Sequence, residues 1–541
     1  MGTTSSLLTS SELVGFEELP AESTVQDDDI LKRSINRKRT NFKWLLFLAI
    51  FIAIWLPFMG HSMYYSHLGI LFNGDNTGGN MIARSRSERN VWTSYNNEQY
   101  YTNLIPIDQL SSVNAQSGTT SEGVTTSSRS SALWALFICS LISILVTAVM
   151  FMLFRHATGC LIWSMIVSIM IALYIILIIF WIYYFQANED MKNILFYGGL
   201  ILTVCVKILL IVIIYLRHKI KFTIKIIQEA SIIIFDMPLL ISIPVINFLT
   251  TAALTVIFGV ILSCMVTSGN WISQSSDHVI TSVLSFTIIY TFSVYSWLYR
   301  IIGAIEYMIV AGAVANRYFT RARSYRKHHI LTAVRNVFKF HLGTCVFGSF
   351  VIWMVAIAKF IILRALKRVV FRCLIRHTVE AVERIVSFLT RNAYIICAIH
   401  GDPFISSGKK AATLLKEHLG NVIALNVISK LVLWITRLLI PVVSGLISLG
   451  ISEVLPVEIL MTRPNFIMII TGFAAVISVF AFSVFDCTID TVFVCYCEDM
   501  RSNDGDSKPY YMTSNLMLVI EDSRKVYEKQ IDNTTDNKNI I

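Results

Sequence analysis

An all-α fold, a polytopic helical membrane protein with about ten transmembrane helices, is what this sequence predicts, and three observations carry that reading. The composition is 55% hydrophobic and only 15% charged, with a mean hydropathy of +0.63, above the apolar share of soluble domains. Apolar runs recur along the chain, each long enough at 1.5 Å per residue to cover a hydrocarbon core of about 30 Å. Basic residues gather at the ends of those runs. The net charge of +10 is therefore read as topology and headgroup contact with a lipid bilayer, and no nucleic-acid module is visible.

Residues 1–41 are Ser/Thr-rich, acidic from Glu12 to Asp29 and then basic at Lys32, Arg33, Arg37, Lys38 and Arg39. They are expected to be a disordered cytosolic tail. The run from Phe42 to Met59 lies too far from Met1 for a signal-peptide core, so it reads as a first span entering from the inside. The membrane domain extends over 42–497. Within it, residues 61–131 form a polar extracytosolic loop too poor in apolar area to make its own core. That loop has no cysteine and no N-x-S/T acceptor, which excludes structural disulfides and predicts no N-glycosylation there.

Spans two to four are expected at Ala132–Phe154, Cys160–Phe185 and Ile194–Leu216, with Arg155, His156, Arg217, His218, Lys219 and Lys221 inside. Trp134, Trp163 and Trp181 fall near the interfaces that suit an indole. Span five runs from Asp236 to about Val266. Asp236 reads as an N-cap before Pro238, with a proline-opened binding segment as the alternative.

Span six, Tyr290 to Phe319, is the element around which the chain is organised. At 100° per residue Tyr290, Trp297, Ala304 and Ala311 share a face with Ser293 and Ala315, aromatic in one half and small in the other. Small side chains admit a neighbouring helix closely, and rings above such a contact wall a cavity; plain packing is the alternative. Arg300 and Glu306 interrupt the span, and charges at that depth face protein or water. A basic inner loop follows.

Gly343–Leu363 makes span seven. The basic residues Arg364 to Arg376 then leave two topologies open. Either Ala381–His400 is an eighth span that tolerates Glu383, Arg384 and Arg391, or neither segment crosses, giving ten spans or eight. Asn421–Gly450 and Asn465–Phe485 are the last spans, and residues 498–541 a cytosolic tail.

Four blocks, AGAVANRYF at 311–319, HLGTCVFGSF at 341–350, RNAYIICAIHGDPF at 391–404 and DTVFVCYCEDMRSNDGDSKPYYMTSNLM at 490–517, together resemble the choline transporter-like family, including its compact fungal and protist members. The resemblance implies ten spans, both termini cytosolic, and sodium-independent movement of choline or a related amine such as ethanolamine, by default at the plasma membrane. The short, cysteine-free first loop departs from many animal members.

A quaternary ammonium group has no N–H to donate, so aromatic faces, with or without a carboxylate, must hold it at about 0.5–2 kcal/mol per ring. Tyr290, Trp297, Tyr307, Tyr394 and Trp434 are the candidate rings and Glu306 the candidate carboxylate. Glu306 lies nearly opposite Trp297 on an ideal helix. Both line one cavity only if the helix breaks there. Asp486 and Asp490, four apart on one face, read as a cation relay or as partners for the basic inner loop.

The function expected is a carrier for choline or a similar organic cation, working by alternating access and driven by membrane potential or by the gradient alone. The alternative is a non-transporting scaffold or regulator that uses its polar termini for cytosolic partners. An enzyme is not expected, nor a cofactor or metal site, since no nucleophile-base pair, metal motif or phosphate loop is visible.

Overall fold

The computed structural model describes residues 37–64, 122–272, 278–320, 328–365, 372–454, 462–503, 508–513 and 516–517. Expectations for the rest of the N-terminal tail, for most of the 61–131 loop and for the end of the C-terminal tail lie outside these residues. The described chain is helical and without strands: α1 Lys43–Tyr64, α2 Glu122–His156, α3 Thr158–Gln186, α4 Glu189–Tyr215, α5 Arg217–Asp236, α6 Ser242–Ile272, α7 His278–Tyr318, α8 His329–Asn336, α9 Leu342–Ala365, α10 Arg372–His400, α11 Phe404–Glu417, α12 Leu419–Val454 and α13 Arg463–Ser502. Among the described residues nine stretches are long and apolar enough to cross a membrane, matching nine of the expected runs. Their outer faces are apolar. On α3, for example, Ile171, Ile175, Ile178 and Ile182 are all about half exposed, a surface that hydrocarbon accommodates and water does not.

Helix α7 sits at the centre, touching α1, α6, α8, α9, α10 and α13. The small half of its predicted face is buried: Ala304, Ala311 and Ala315 all lie inside. A Cβ on Gly312 would stand 3.3 Å from that of Ala333 on α8, so the helices meet almost backbone to backbone. Helix α7 is continuous over its 41 residues.

Helix α10 bears on the eight-or-ten question. It carries too many charges to count among the nine apolar stretches, yet its 29 residues span about 43 Å. Lys359 on α9 pairs with Glu383 at 2.8 Å, while at the other end of both helices Cys397 Sγ lies 3.7 Å from His341 Nδ1. Helix α10 thus runs back beside α9 along its length. Two of the three charges expected to be tolerated there have protein partners, Glu383 with Lys359 and Arg391 facing Asp486 at 3.7 Å, while Arg384 is exposed.

One local reading is corrected. Asp236 does not cap span five; it ends α5, and its carboxylate accepts a 2.6 Å bond from Arg317 of α7. The chain then turns at Met237, and Pro238 opens a 3₁₀ turn where its missing N–H costs nothing. Helix α5 itself fills residues to which the sequence reading assigns no element. It is amphipathic, burying Ile220, Ile224, Ile227 and Ile234 against α2, α12 and α13 while Arg217, His218 and Lys221 stay exposed.

Two chain segments close the end of the bundle where α7 finishes. Residues 37–41 form a strap: Arg37 Nη2 donates to Ala398 O at 2.6 Å, Thr40 N to Phe340 O at 2.9 Å, and the Thr40 hydroxyl bonds Thr344 at 2.8 Å. A Cβ at Gly343 would collide with the carbonyls of Thr40 and Asn41, which explains the glycine in HLGTC. On the other side the Asp499 carboxylate accepts the backbone N–H groups of Tyr511 and Met512, each at 2.9 Å, and Asn503 Nδ2 at 2.7 Å. That bend returns Met512 and Leu516 into the core.

Candidate functional site

A group of ionisable side chains meets where α7, α10 and α13 come together. Ser483, Asp486, Cys487 and Asp490 fall at helical spacings of three, four and seven, so α13 turns one face toward α7. Tyr307 donates its hydroxyl to Asp490 Oδ2 at 3.2 Å, and Cys487 Sγ reaches Tyr307 O at 3.4 Å. From α10, Arg391 approaches Asp486 at 3.7 Å and also acts electrostatically on Asp490, as does Lys430 of α12. The Tyr394 ring stands 6.5 Å from the Tyr307 ring, and its hydroxyl donates to Cys345 O at 3.4 Å. Gly348 of α9 is required by that ring, because a Cβ there would overlap the Tyr394 hydroxyl and the edge of Phe404.

Glu306 is one residue from Tyr307 but points between α6 and α13. Its carboxylate accepts bonds from Asn247 Nδ2 and, at 3.4 Å, from Ser483 Oγ. The Asn247 carbonyl oxygen is buried without a partner. Together the junction holds three carboxylates, Glu306, Asp486 and Asp490, against two cations, Arg391 and Lys430.

Trp297 occupies a separate cluster with α1 and α9. It is fully buried, its ring centroid 5.2 Å from Phe51, 5.4 Å from Phe350, 5.6 Å from Trp353 and 5.9 Å from Phe47. Its faces are covered by these rings in this conformation, and its Nε1–H has no acceptor. Tyr290 lies at the end of the same cluster, tied through its hydroxyl to Phe51 O at 2.9 Å.

Of the residues singled out in the sequence, the structure brings together Tyr307, Tyr394, Glu306, Asp486 and Asp490, and holds Trp297 and Tyr290 apart from them. Helix α7 is unbroken, so Glu306 and Trp297 face different neighbours, as their angular separation requires. Trp434 is not brought to either group; it is 60% exposed on the outside of α12. Among the described residues Asp486 and Asp490 find partners on α10 and α7; the basic residues of 321–327 after span six lie outside the described residues. Arg391, Asn247 and Ser483 were not singled out as site residues. The signal for Arg391 was its place at the head of the RNAYIICAIH block; Asn247 and Ser483 carry none. Among the described residues no group of His, Cys, Asp and Glu is arranged to hold a metal ion.

A bundle of long apolar helices joined through buried ionisable groups defines the class as integral membrane protein. The family profile described as plasma-membrane choline transporter matches residues 200–501, from within α4 to the end of α13, and the chain belongs to that family. Among similar proteins are choline transporter-like protein 1 of Torpedo marmorata, 29% identical over 57% of this chain and 50% of that protein, and its mouse (Mus musculus) namesake, 25% identical over 72% and 64%. Choline transporter-like protein 2 of Dictyostelium discoideum is 29% identical over 61% of this chain and 55% of that protein. The chain spans between half and just under two thirds of the length of these relatives.

Proposed function

We propose that this protein carries choline or a closely related organic cation across the membrane, and that the Tyr307–Asp490 junction holds the ammonium group. The observation that carries this is the pairing of two rings, Tyr307 and Tyr394, 6.5 Å apart and tilted by 52°, with three carboxyl groups beside two cations. A quaternary ammonium needs that combination: ring faces supply about 0.5–2 kcal/mol each, and the uncompensated charge favours a cation over a neutral alcohol. Relatives named choline transporter-like proteins support the substrate class.

In the same reading α10 is the tenth crossing, both termini are cytosolic, and the protein resides in the plasma membrane. Movement proceeds by exposing the junction to one side at a time, with the straps at residues 37–41 and 508–513 belonging to the closed end. An inside-negative potential contributes about 2.3 kcal/mol per charge per 100 mV, enough to drive uptake without a coupled ion.

The test is uptake of labelled choline into proteoliposomes of the purified protein, with and without an inside-negative potential, and competed by ethanolamine. Saturable, potential-dependent uptake supports the carrier. No uptake above empty liposomes turns the reading toward a scaffold that retains the fold.

A further inference from the structure

Beside the strap, where α1 and α9 begin, lies a cavity of about 260 Å³ lined by Arg39, Thr40, Phe42, Leu45, Phe338, Lys339, Phe340, Leu342 and Gly343. It contributes nothing to the junction of α7, α10 and α13. Its wall is the single π-helical turn Val337–His341, the only one among the described residues. Such a turn accommodates one extra residue and re-aims the side chains it carries.

Two cations flank the cavity. Arg39 and Lys339 are both exposed, and among the described residues neither has a carboxylate partner. Lys339 Nζ stands 5.1 Å above the Phe340 ring, a contact that orients it without neutralising it. Lys38 and Lys43, which flank the lining residues in sequence, are exposed as well. Two large rings sit on the same rim with their faces uncovered: Phe42 is 59% and Phe338 55% exposed. The pocket sits at the first turns of α1 and α9, and basic side chains at such helix ends suit the level of lipid headgroups.

We propose that this pocket binds the headgroup of an anionic glycerophospholipid, phosphate between Arg39 and Lys339 and acyl chains against Phe42, Phe338 and Leu45. The cations alone would suit any phosphate. The exposed rings favour the lipid, since a soluble anion has no apolar part to cover them. The proposal stands apart from the transport reading, because it concerns neither the junction nor its substrate.

The experiment places the purified full chain in phosphatidylcholine nanodiscs with and without phosphatidylserine, and reads retained lipid by native mass spectrometry after release. Phosphatidylserine is expected to be enriched over phosphatidylcholine, and Lys339→Gln or Arg39→Gln to reduce that enrichment roughly fivefold each. Both side chains are exposed, so the two single variants test the pocket independently, and Lys339→Arg should restore retention. Inorganic phosphate and glycerophosphoserine should fail to displace the lipid. Equal retention of phosphatidylserine in wild type and both variants overturns the proposal, as does an absence of enrichment in wild type. Displacement by millimolar inorganic phosphate overturns the lipid as the source and leaves a soluble phosphate site.

Discussion

The Tyr307 hydroxyl donates to the Asp490 carboxylate at 3.2 Å, joining two helices whose residues are 183 apart in sequence. Asp490 is buried and Tyr307 partly buried, and Arg391 from a third helix acts electrostatically on both members. A carboxylate so placed stays charged only by virtue of these partners, because an isolated ion at that depth is very costly. The contact therefore serves as structure and sets a carboxyl group beside two rings.

The first prediction separates ring from hydroxyl. Tyr307→Phe keeps the aromatic face and should weaken choline binding to the purified protein only slightly. Tyr307→Ala should weaken it roughly threefold to thirtyfold, the loss of one ring at about 0.5–2 kcal/mol. Equal affinities in the two variants would remove the Tyr307 face from the site.

The second concerns charge at the same place. Asp490→Asn keeps an acceptor for Tyr307 but removes the excess negative charge, so potential-driven choline uptake should drop about tenfold or more while the protein still purifies as a folded species. Unchanged uptake would exclude both a substrate contact and a cation relay at this carboxylate.

Gly348 supplies a test of packing. A methyl group there meets the Tyr394 hydroxyl and Phe404, neither of which has room to retreat from the core. Gly348→Ala should lose about 1–3 kcal/mol of stability, read as a lowered melting temperature in detergent. The double variant Gly348→Ala with Tyr394→Phe should recover part of it if the hydroxyl is the obstacle.

The tail bend should depend on Asp499. Asp499→Ala removes the carboxylate that accepts the N–H groups of Tyr511 and Met512, a loss of about 1–3 kcal/mol, and should speed proteolytic removal of the segment beyond Asn503 several-fold. Asp499→Asn, which retains one acceptor oxygen, should lie between wild type and alanine.

Glu229 gives a pH dependence. It lies on α5, outside the candidate spans, and burial raises the pKa of its carboxyl above the usual value against the opposing 2.6 Å bond from Thr513 and the charges of Lys225 and Arg317. A raised pKa means that the folded state holds this proton more tightly than the unfolded chain. Its contribution to stability is complete below about 4.5 and declines as pH rises through the folded value. Glu229→Gln keeps an acceptor for Thr513 and should flatten that part of the melting-temperature profile; an unchanged slope would assign it to other groups.

Much of this architecture was legible residue by residue. The long apolar runs marked nine crossing stretches because a bilayer demands length and hydrophobicity from each segment separately. The face of α7 carrying Trp297, Ala304 and Ala311 followed from helical periodicity, and so did the opposition of Trp297 and Glu306. The blocks from 311 to 517 pointed to the family, and two of their glycines prove to be places where Asn41 and Tyr394 press against α9.

Partners were less legible. Asp236 before Pro238 has the local pattern of a cap, but Arg317, 81 residues away, takes its carboxylate. Trp434 resembles any other ring in an apolar run, and only the placement of α12 at the edge of the bundle turns it outward. Arg391 belongs to a helix too charged to be recognised as a crossing by composition, and it needs Asp486 beside it to sit there. The amino-acid order thus determined the nine long apolar stretches and which of their residues share a face, because those properties arise within one helix. Which face meets which, and so whether Glu306, Tyr307 and Asp490 form a site or merely neighbour one another in sequence patterns, was decided by the packing angles of α6, α10 and α13 around α7. Those angles come from side chains interlocking across hundreds of residues, a relation that no window of the chain contains.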